Sequence, residues 1–337
     1  MILALVLVAC GRPSAGAATH VRIAVGGQAQ FLYLPTTLAA QLGYYRDEGL
    51  DVSIDDFSGG AQALEALLGG SADVVSGFYD HTIQLAADGK SLTAFVSMLR
   101  YPGLVLAVSP QASKPISRIS DLKGARVGIT APGSSTQMIV TYLLNKVGLS
   151  ASDVSFVGIG TAATAVAAIE HGSVDAGMLA EPTFTEIERR SGRLWLLADL
   201  RGAQGVREAF GTAAYPGAVL YSRSDWVAAH PGIAGKLARA IVRTLDWMQH
   251  HTPQQIADRM PPQFRGGDES LYVEALTHVM PMFSPDGLMP ADGAQAVESL
   301  LAFSLPKVRQ AHVDLSRTYT NRFVAAAAPA QPAASRP

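Results

Sequence analysis

The sequence predicts an α/β protein of two similar lobes, and three observations lead to that fold class. Its 337 residues exceed what a single core of about 100–200 residues absorbs. Short β-branched runs alternate with helically spaced apolar residues, and glycine stands at nearly every junction. The same strand, loop and helix order then returns about a hundred residues later in the chain. With 48% apolar and only 16% charged residues, the composition is that of a globular body with well-buried sheets.

Taken in order, residues 1–19 read as a signal peptide. Ile2 to Ala9 is an unbroken apolar run, far short of the roughly 18–20 residues of a membrane span. Leu7-Val8-Ala9-Cys10 resembles the lipobox of bacterial lipoproteins, which makes Cys10 the candidate lipidation site; the alternative is an ordinary cut after Ala15-Gly16-Ala17. No Lys or Arg precedes the apolar run, a departure from the usual signal. Cys10 is the only cysteine, which leaves no internal disulfide and no cysteine metal site. At the other end, residues 325–337 are Ala/Pro-rich without amphipathic period and read as a disordered tail.

Val21 to Val25 is a strand ending in Gly26-Gly27, and Pro35 opens a helix through Leu38 and Leu42. Asp51 to Ile54 is a second strand, Ala61 to Leu68 a second helix, and Asp73 to Ser76 a third strand. Arg126-Val127-Gly128-Ile129 then stands where Arg22 to Val25 stood. Asp153-Val154-Ser155 repeats Asp51-Val52-Ser53 at an offset of 102, and Gly172-Ser173-Val174-Asp175 repeats Gly70-Ser71-Ala72-Asp73 at the same offset. Two anchors at one offset favour an internal structural repeat over the alternative, two similar but unrelated lobes. Leu104 to Val108 and Ala218 to Tyr221 read as the two crossings between the lobes. The expected division is 20–107 plus 218–323 for the first lobe and 108–217 for the second. Trp226, Leu237, Ile241, Leu245 and Trp247 recur at helical intervals and read as core. Two passages of the chain between lobes make a hinge.

Several function classes are excluded. A net charge of −2 without any Lys/Arg block lacks the footprint of nucleic-acid binding. The motifs of serine hydrolases, zinc proteases, phosphate loops and dinucleotide folds are absent. His250 and His251 are neighbours on an expected helix and point to different faces, so they do not form a metal pair. No metal or cofactor is expected.

In open α/β sheets ligands lie beyond the carboxyl ends of the strands. That rule selects Gln28 and Tyr33 after the first strand, Ser58, Gly59 and Gly60 after the second, and Phe78, Tyr79 and Asp80 after the third. Arg100 and Tyr101 follow the strand Phe95 to Leu99. In the second lobe the corresponding residues are Gly133, Ser134, Ser135 and Thr136, then Gly160 and Thr161, then Glu181 before Pro182. Gly133 to Thr136 joins a strand to a helix, a terminus that either binds an anion or is simply capped by its serines. Arg100 offers a bidentate partner for an anionic head group or is a solvated strand-end charge. The aromatic residues offer stacking surfaces, and Asp80 and Glu181 offer acceptors for an amine or heterocyclic N–H.

Over roughly residues 20 to 250 the chain resembles the SsuA/THI5-like (NMT1-like) family, the sulfonate, nitrate and thiamine-precursor group of ABC periplasmic binding proteins. The resemblance rests on Val21 to Tyr33, on Ala40 to Val52, on Ile119 to Gly128, and on Glu181-Pro182. It implies the type II periplasmic binding protein fold, two Rossmann-like lobes joined by a two-strand hinge. It implies further an extracytoplasmic component of an ABC importer, in the periplasm or on the extracytoplasmic face of the membrane. Such a protein captures a small organic ligand, a sulfonate-type anion favoured, with the loops above as contacts and Ser134 and Ser135 at an acidic head group. Its expected partners are a permease with a separate ATPase, and its expected state is a monomer that meets the membrane through a lipid anchor. A pyrimidine, thiamine precursor or other aromatic ligand is the alternative. An enzymatic branch of the family, a fungal pyrimidine synthase, carries a Cys-rich iron-binding motif, and this sequence has only Cys10. A sensory ligand-binding role is the remaining alternative.

Overall fold

The computed structural model describes residues 18–290 and 292–326. Cys10 and residues 1–17 of the expected signal segment, and residues 327–337 of the expected tail, lie outside them; at the edges of those two segments Thr19 opens a strand and Ala325 ends the helical turn Arg322–Ala325. The first lobe opens with β1 (Thr19–Gly26), α1 (Leu34–Gln41), β2 (Leu50–Phe57), α2 (Gly60–Leu68), β3 (Val74–Phe78), α3 (Asp80–Ala87) and β4 (Leu92–Ser97). The second follows with β5 (Leu104–Val108), β6 (Arg126–Ile129), α4 (Ser135–Lys146), β7 (Ser155–Gly158), α5 (Ala163–Glu170), β8 (Ala176–Ala180), α6 (Thr183–Ser191), β9 (Leu196–Asp199) and α7 (Ala203–Phe210). The chain then returns through β10 (Ala218–Arg223) to α8 (Pro231–Gln249), α9 (Glu269–Val279) and α10 (Gly293–Ser304).

Two five-stranded sheets result, ordered β2-β1-β3-β10-β4 and β7-β6-β8-β5-β9. Each is parallel in its first three strands and takes one antiparallel strand from the far side of a crossing, β10 in the first sheet and β5 in the second. β3 and β8 are buried along their whole length, as strands covered by helices on both faces must be, and their sequences are correspondingly apolar or small. Helix α8 starts at Pro231, a residue suited to the first helical turn, and buries Ala234, Leu237, Ala238, Ile241, Leu245 and Met248 along one stripe. Trp226 and Trp247 are only half-buried against that core, and His251 stacks on Trp247 with ring centroids 3.8 Å apart.

The repeat is present in the register itself. Arg22 of β1 pairs with Ser53 of β2, and Arg126 of β6 pairs with Ser155 of β7. One detail differs from expectation: Asp153 belongs to a 3-10 turn, Ala151–Asp153, and the strand starts only at Ser155. The Asp153 carboxylate accepts from the backbone and hydroxyl of Ser150, a local bond that competes with strand pairing.

The boundary at residue 107 needs correction. Leu104–Val108 pairs with β8 from Leu104↔Ala180 to Val108↔Ala176, and with β9, so these residues belong to the second sheet. A fully buried strand must place its backbone N–H and C=O groups in a ladder, and an apolar run without alternation does not reveal which sheet supplies it. The crossings themselves are the flanking loops, which lie side by side: the Tyr215 and Gly217 N–H groups donate to the carbonyls of Arg100 and Leu99, at 3.1 and 3.2 Å.

Candidate functional site

The carboxyl ends of β1, β2 and β3 face those of β6 and β8 across a narrow cleft. Helix α2 begins there from the first lobe and α4 from the second, and each has first-turn N–H groups without partners in its own helix. Ser134 is the residue before α4, yet its hydroxyl does not cap its own helix. It instead accepts from the Ala61 N–H at 3.2 Å, so a serine of one lobe caps the helix of the other. The next residue crosses as well: the Ser135 hydroxyl donates to Asp80 Oδ1 at 2.7 Å. A third bond across the cleft runs from the Phe31 N–H to the Glu181 carbonyl at 2.9 Å.

Between these bonds lies a cavity of about 20 Å³, room for about one water molecule. Of the residues selected from sequence, Tyr33, Gly60, Phe78, Ser134, Ser135 and Thr136 line it. Thr136 also accepts from the Thr130 N–H at 3.0 Å, which anchors α4 to the end of β6. Gly59 is buried at the contact between lobes, where a Cβ would stand 3.1 Å from that of Ala131. Thr161, preceded by Gly160 at φ +66°, packs against Gly27, where a Cβ would stand 2.8 Å from the Thr161 methyl. No lysine or arginine lines the cavity among the described residues.

Asp80 stands directly behind this wall, fully buried at the start of α3, and accepts from Ser135 and, at 3.3 Å, from the Tyr215 hydroxyl. Burial pushes its pKa up and outweighs those donors. The adjacent His81 is also fully buried; burial holds its pKa down and keeps the ring neutral, with Nδ1 3.3 Å from the Tyr221 hydroxyl. Its Nε2 has no hydrogen-bond partner among the described residues.

Other selected residues stand elsewhere. Tyr79 turns into the first lobe, where its hydroxyl meets Thr318 Oγ1 at 2.5 Å. Arg100 is exposed at the crossing, donates to the Pro281 carbonyl at 3.2 Å and lies over the Tyr101 ring; neither residue lines the cavity. Both carboxylate oxygens of Glu181 are engaged, one by Arg201 Nη1 at 2.8 Å and one by the Thr185 N–H at 3.0 Å. Gln28 turns toward Thr37, Ser58 is exposed and bonds Gln62, and the Gly133 N–H donates to Gln137.

Sequence reasoning missed Gln30, Leu104 and Thr130 in the lining and Tyr215 and His81 around Asp80. Thr130 directly follows β6 and could have been found from the strand-end rule; Leu104 and Tyr215 reach the site only through the crossings, which leave no local signal. Larger grooves of 490 and 690 Å³ lie beside Arg201 and Glu188, open to solvent and lined by charged and uncharged side chains alike, the first of them reaching His278 and Pro281 after the return crossing. Among the described residues no cluster of three His, Cys, Asp or Glu could hold a metal, and no helix is long and apolar enough to cross a membrane.

The chain belongs to the NMT1/THI5 like family, whose model matches residues 30–256. A solved structure from Bordetella bronchiseptica RB50 is 41% identical, covers 93% of this chain and 97% of its own, and superposes with a TM-score of 0.86. The alkanesulfonate-binding protein SsuA of Xanthomonas axonopodis pv. citri, solved bound to MOPS, is 20% identical at a TM-score of 0.70, covering 90% of this chain and 98% of its own. The 4-amino-5-hydroxymethyl-2-methylpyrimidine phosphate synthase of Schizosaccharomyces pombe is 27% identical over 228 residues, 64% of this chain and 62% of that protein. The fold is that of the periplasmic binding proteins, an α/β architecture of two mixed sheets.

Proposed function

We propose that this protein is the extracytoplasmic binding component of an ABC importer and captures a small organic monoanion, a sulfonate above all, between its lobes. The observation that carries this reading is the meeting of two helix N-termini from opposite lobes at one cavity, with Ser134 bonded to Ala61. Converging first-turn N–H groups suit a weakly hydrated head group with one negative charge. Tyr33, Phe78 and Leu104 supply an apolar wall for its organic part. The buried Asp80 and the lack of lining cations disfavour a dianion.

A cavity that holds about one water must widen to admit such a ligand. The paired crossings at Leu99–Arg100 and Tyr215–Gly217 are the hinge in this reading, and the bonds of Ser134, Ser135 and Glu181 define the closed state. The lobes are 20–103 with the C-terminal helices, and 104 to the return crossing. Delivery is to a permease with its own ATPase, from a monomer placed outside the cytoplasm and tethered through Cys10.

A second reading is favoured by Tyr33 and Phe78 in the lining: a heteroaromatic ligand such as a pyrimidine, whose N–H groups would reach the Asp80 carboxylate only by replacing the Ser135 hydroxyl on it. The single cysteine supports binding without catalysis over the iron-dependent synthase chemistry. A thermal-shift screen of the mature protein against alkyl and aryl sulfonates, nitrate, aromatic acids and pyrimidines tests both. A ligand at 100 times its Kd adds about 2.7 kcal/mol. Stabilisation by sulfonates that Ser134→Ala weakens supports the first reading, and stabilisation by pyrimidines alone replaces it with the second.

A further inference from the structure

Outside the cavity lining, the two lobes meet at a cluster of charges that ligand capture does not use. Arg189 lies near the end of α6 in the second lobe. Its Nη1 donates to Asp268 at 2.8 Å and to Ser270 at 2.9 Å, and its Nε donates to Glu274 at 3.0 Å. Asp268 caps α9, Ser270 lies in its first turn and Glu274 one turn further on; this helix belongs to the first lobe, where Tyr272 packs edge-on against Phe31 with ring centroids 4.7 Å apart. One guanidinium thus spans the lobes with all three of its partners on the opposite side.

Its position gives it leverage. The far end of α9 leads to Pro281, whose carbonyl accepts from Arg100 in the crossing. From Ser270 to Val279 is about 14 Å of helix, so a rotation of one lobe at the crossings moves Arg189 away from its partners. The group is partly exposed, with 34% of the Arg189 side chain open to solvent, so the contact is screened by salt.

We propose that Arg189, Asp268 and Glu274 form an electrostatic latch that sets how often the cleft opens, independently of what the cleft binds. The inference rests on the reading that the lobes part. Opening frees the Phe31 and Ala61 N–H groups, which are held across the cleft by Glu181 and Ser134, so hydrogen exchange at those two amides reports it without a ligand.

The experiment compares the mature protein with Arg189→Ala, and with Asp268→Asn and Glu274→Gln as milder variants. Expected is a roughly three- to tenfold faster exchange of Phe31 and Ala61 in Arg189→Ala, smaller changes in the other two, unchanged rates in β5 and β8, and convergence with the parent in 0.5 M salt. Rates at Phe31 and Ala61 that do not respond to Arg189 overturn the latch while leaving cleft opening intact. Acceleration at all amides together, β5 and β8 included, also overturns it by showing a role in general stability. If the parent protects Phe31 and Ala61 as strongly as its sheet cores, the lobes do not part and the capture reading itself falls.

Discussion

Arg126 holds Asp175 through side chain and backbone alike: Nη2 donates to Oδ1 at 2.9 Å while the Arg126 backbone N–H donates to Oδ2 at 2.8 Å. Arg22 and Asp73 make the same pair of bonds in the first lobe, at 2.8 and 2.9 Å. Each aspartate also returns its N–H to the arginine carbonyl, so the entry to the third strand is tied to the first strand in both lobes. The preceding turns need Gly70 and Gly172, whose φ values of +78° and +65° strain other residues.

This clamp sets an acid limit. Burial disfavours the charge on Asp175, but the Arg126 guanidinium and the N–H groups of Ser113 and Arg126 outweigh it and hold the carboxyl well below its usual range. A depressed value adds stability above the unfolded pKa, about 3.9, and that stability is lost as pH falls through the folded value. Asp175→Ala is expected to cost about 3 kcal/mol at pH 7 in urea unfolding and to flatten the loss of stability below about pH 4. Equal pH profiles for parent and variant would contradict this.

Asp80 behaves in the opposite sense. Its pKa is raised by burial, so the proton-linked stability is present at low pH and lost as pH rises through the folded value. Above that value the ionised, buried carboxylate is a cost. Asp80→Asn is therefore expected to keep or raise Tm at pH 7 and to weaken the decline in Tm from about pH 4 upward. A fall in Tm of more than about 5 °C at pH 7 would show that the bonds from Ser135 and Tyr215 outweigh burial.

Gly26 has no room for a side chain. A Cβ there would stand 2.4 Å from the Gly60 nitrogen and 2.5 Å from the Gly59 carbonyl carbon, backbone atoms that cannot swing aside. Gly26→Ala is expected to destabilise by about 1–3 kcal/mol, read as a lower urea midpoint at unchanged slope. An unaltered midpoint would mean that β1 and α2 separate freely.

Ser134→Ala removes the cap that one lobe places on the helix of the other. A cap is worth about 1 kcal/mol, and the Ala61 amide should exchange about fivefold faster while β3 and β8 keep their protection. No change at Ala61 would assign its protection to something other than the serine.

The fold was legible in the sequence because its signals are local. Glycine junctions, short apolar strands and the Gly-Ser-x-Asp anchors of the repeat each report a backbone requirement that neighbouring residues satisfy. The candidate site was legible in part for the same reason: Tyr33, Gly60, Phe78 and Ser134 to Thr136 sit in strand-end loops and line the cavity. Tyr79 and Phe78 are adjacent and look alike in sequence, yet one faces the cleft and the other Thr318, since each direction depends on what packs behind.

By itself the sequence determined two repeated α/β units, their strand-end loops and the family pattern, because periodicity and turn chemistry act over a few residues. Only the tertiary structure decided that Leu104–Val108 completes the second sheet, that Arg201 occupies Glu181, that Ser134 caps a helix of the other lobe, and that Arg189 meets Asp268 and Glu274. Those relationships join residues from 20 to 85 positions apart, where the chain between leaves the partner unspecified until both sheets are packed.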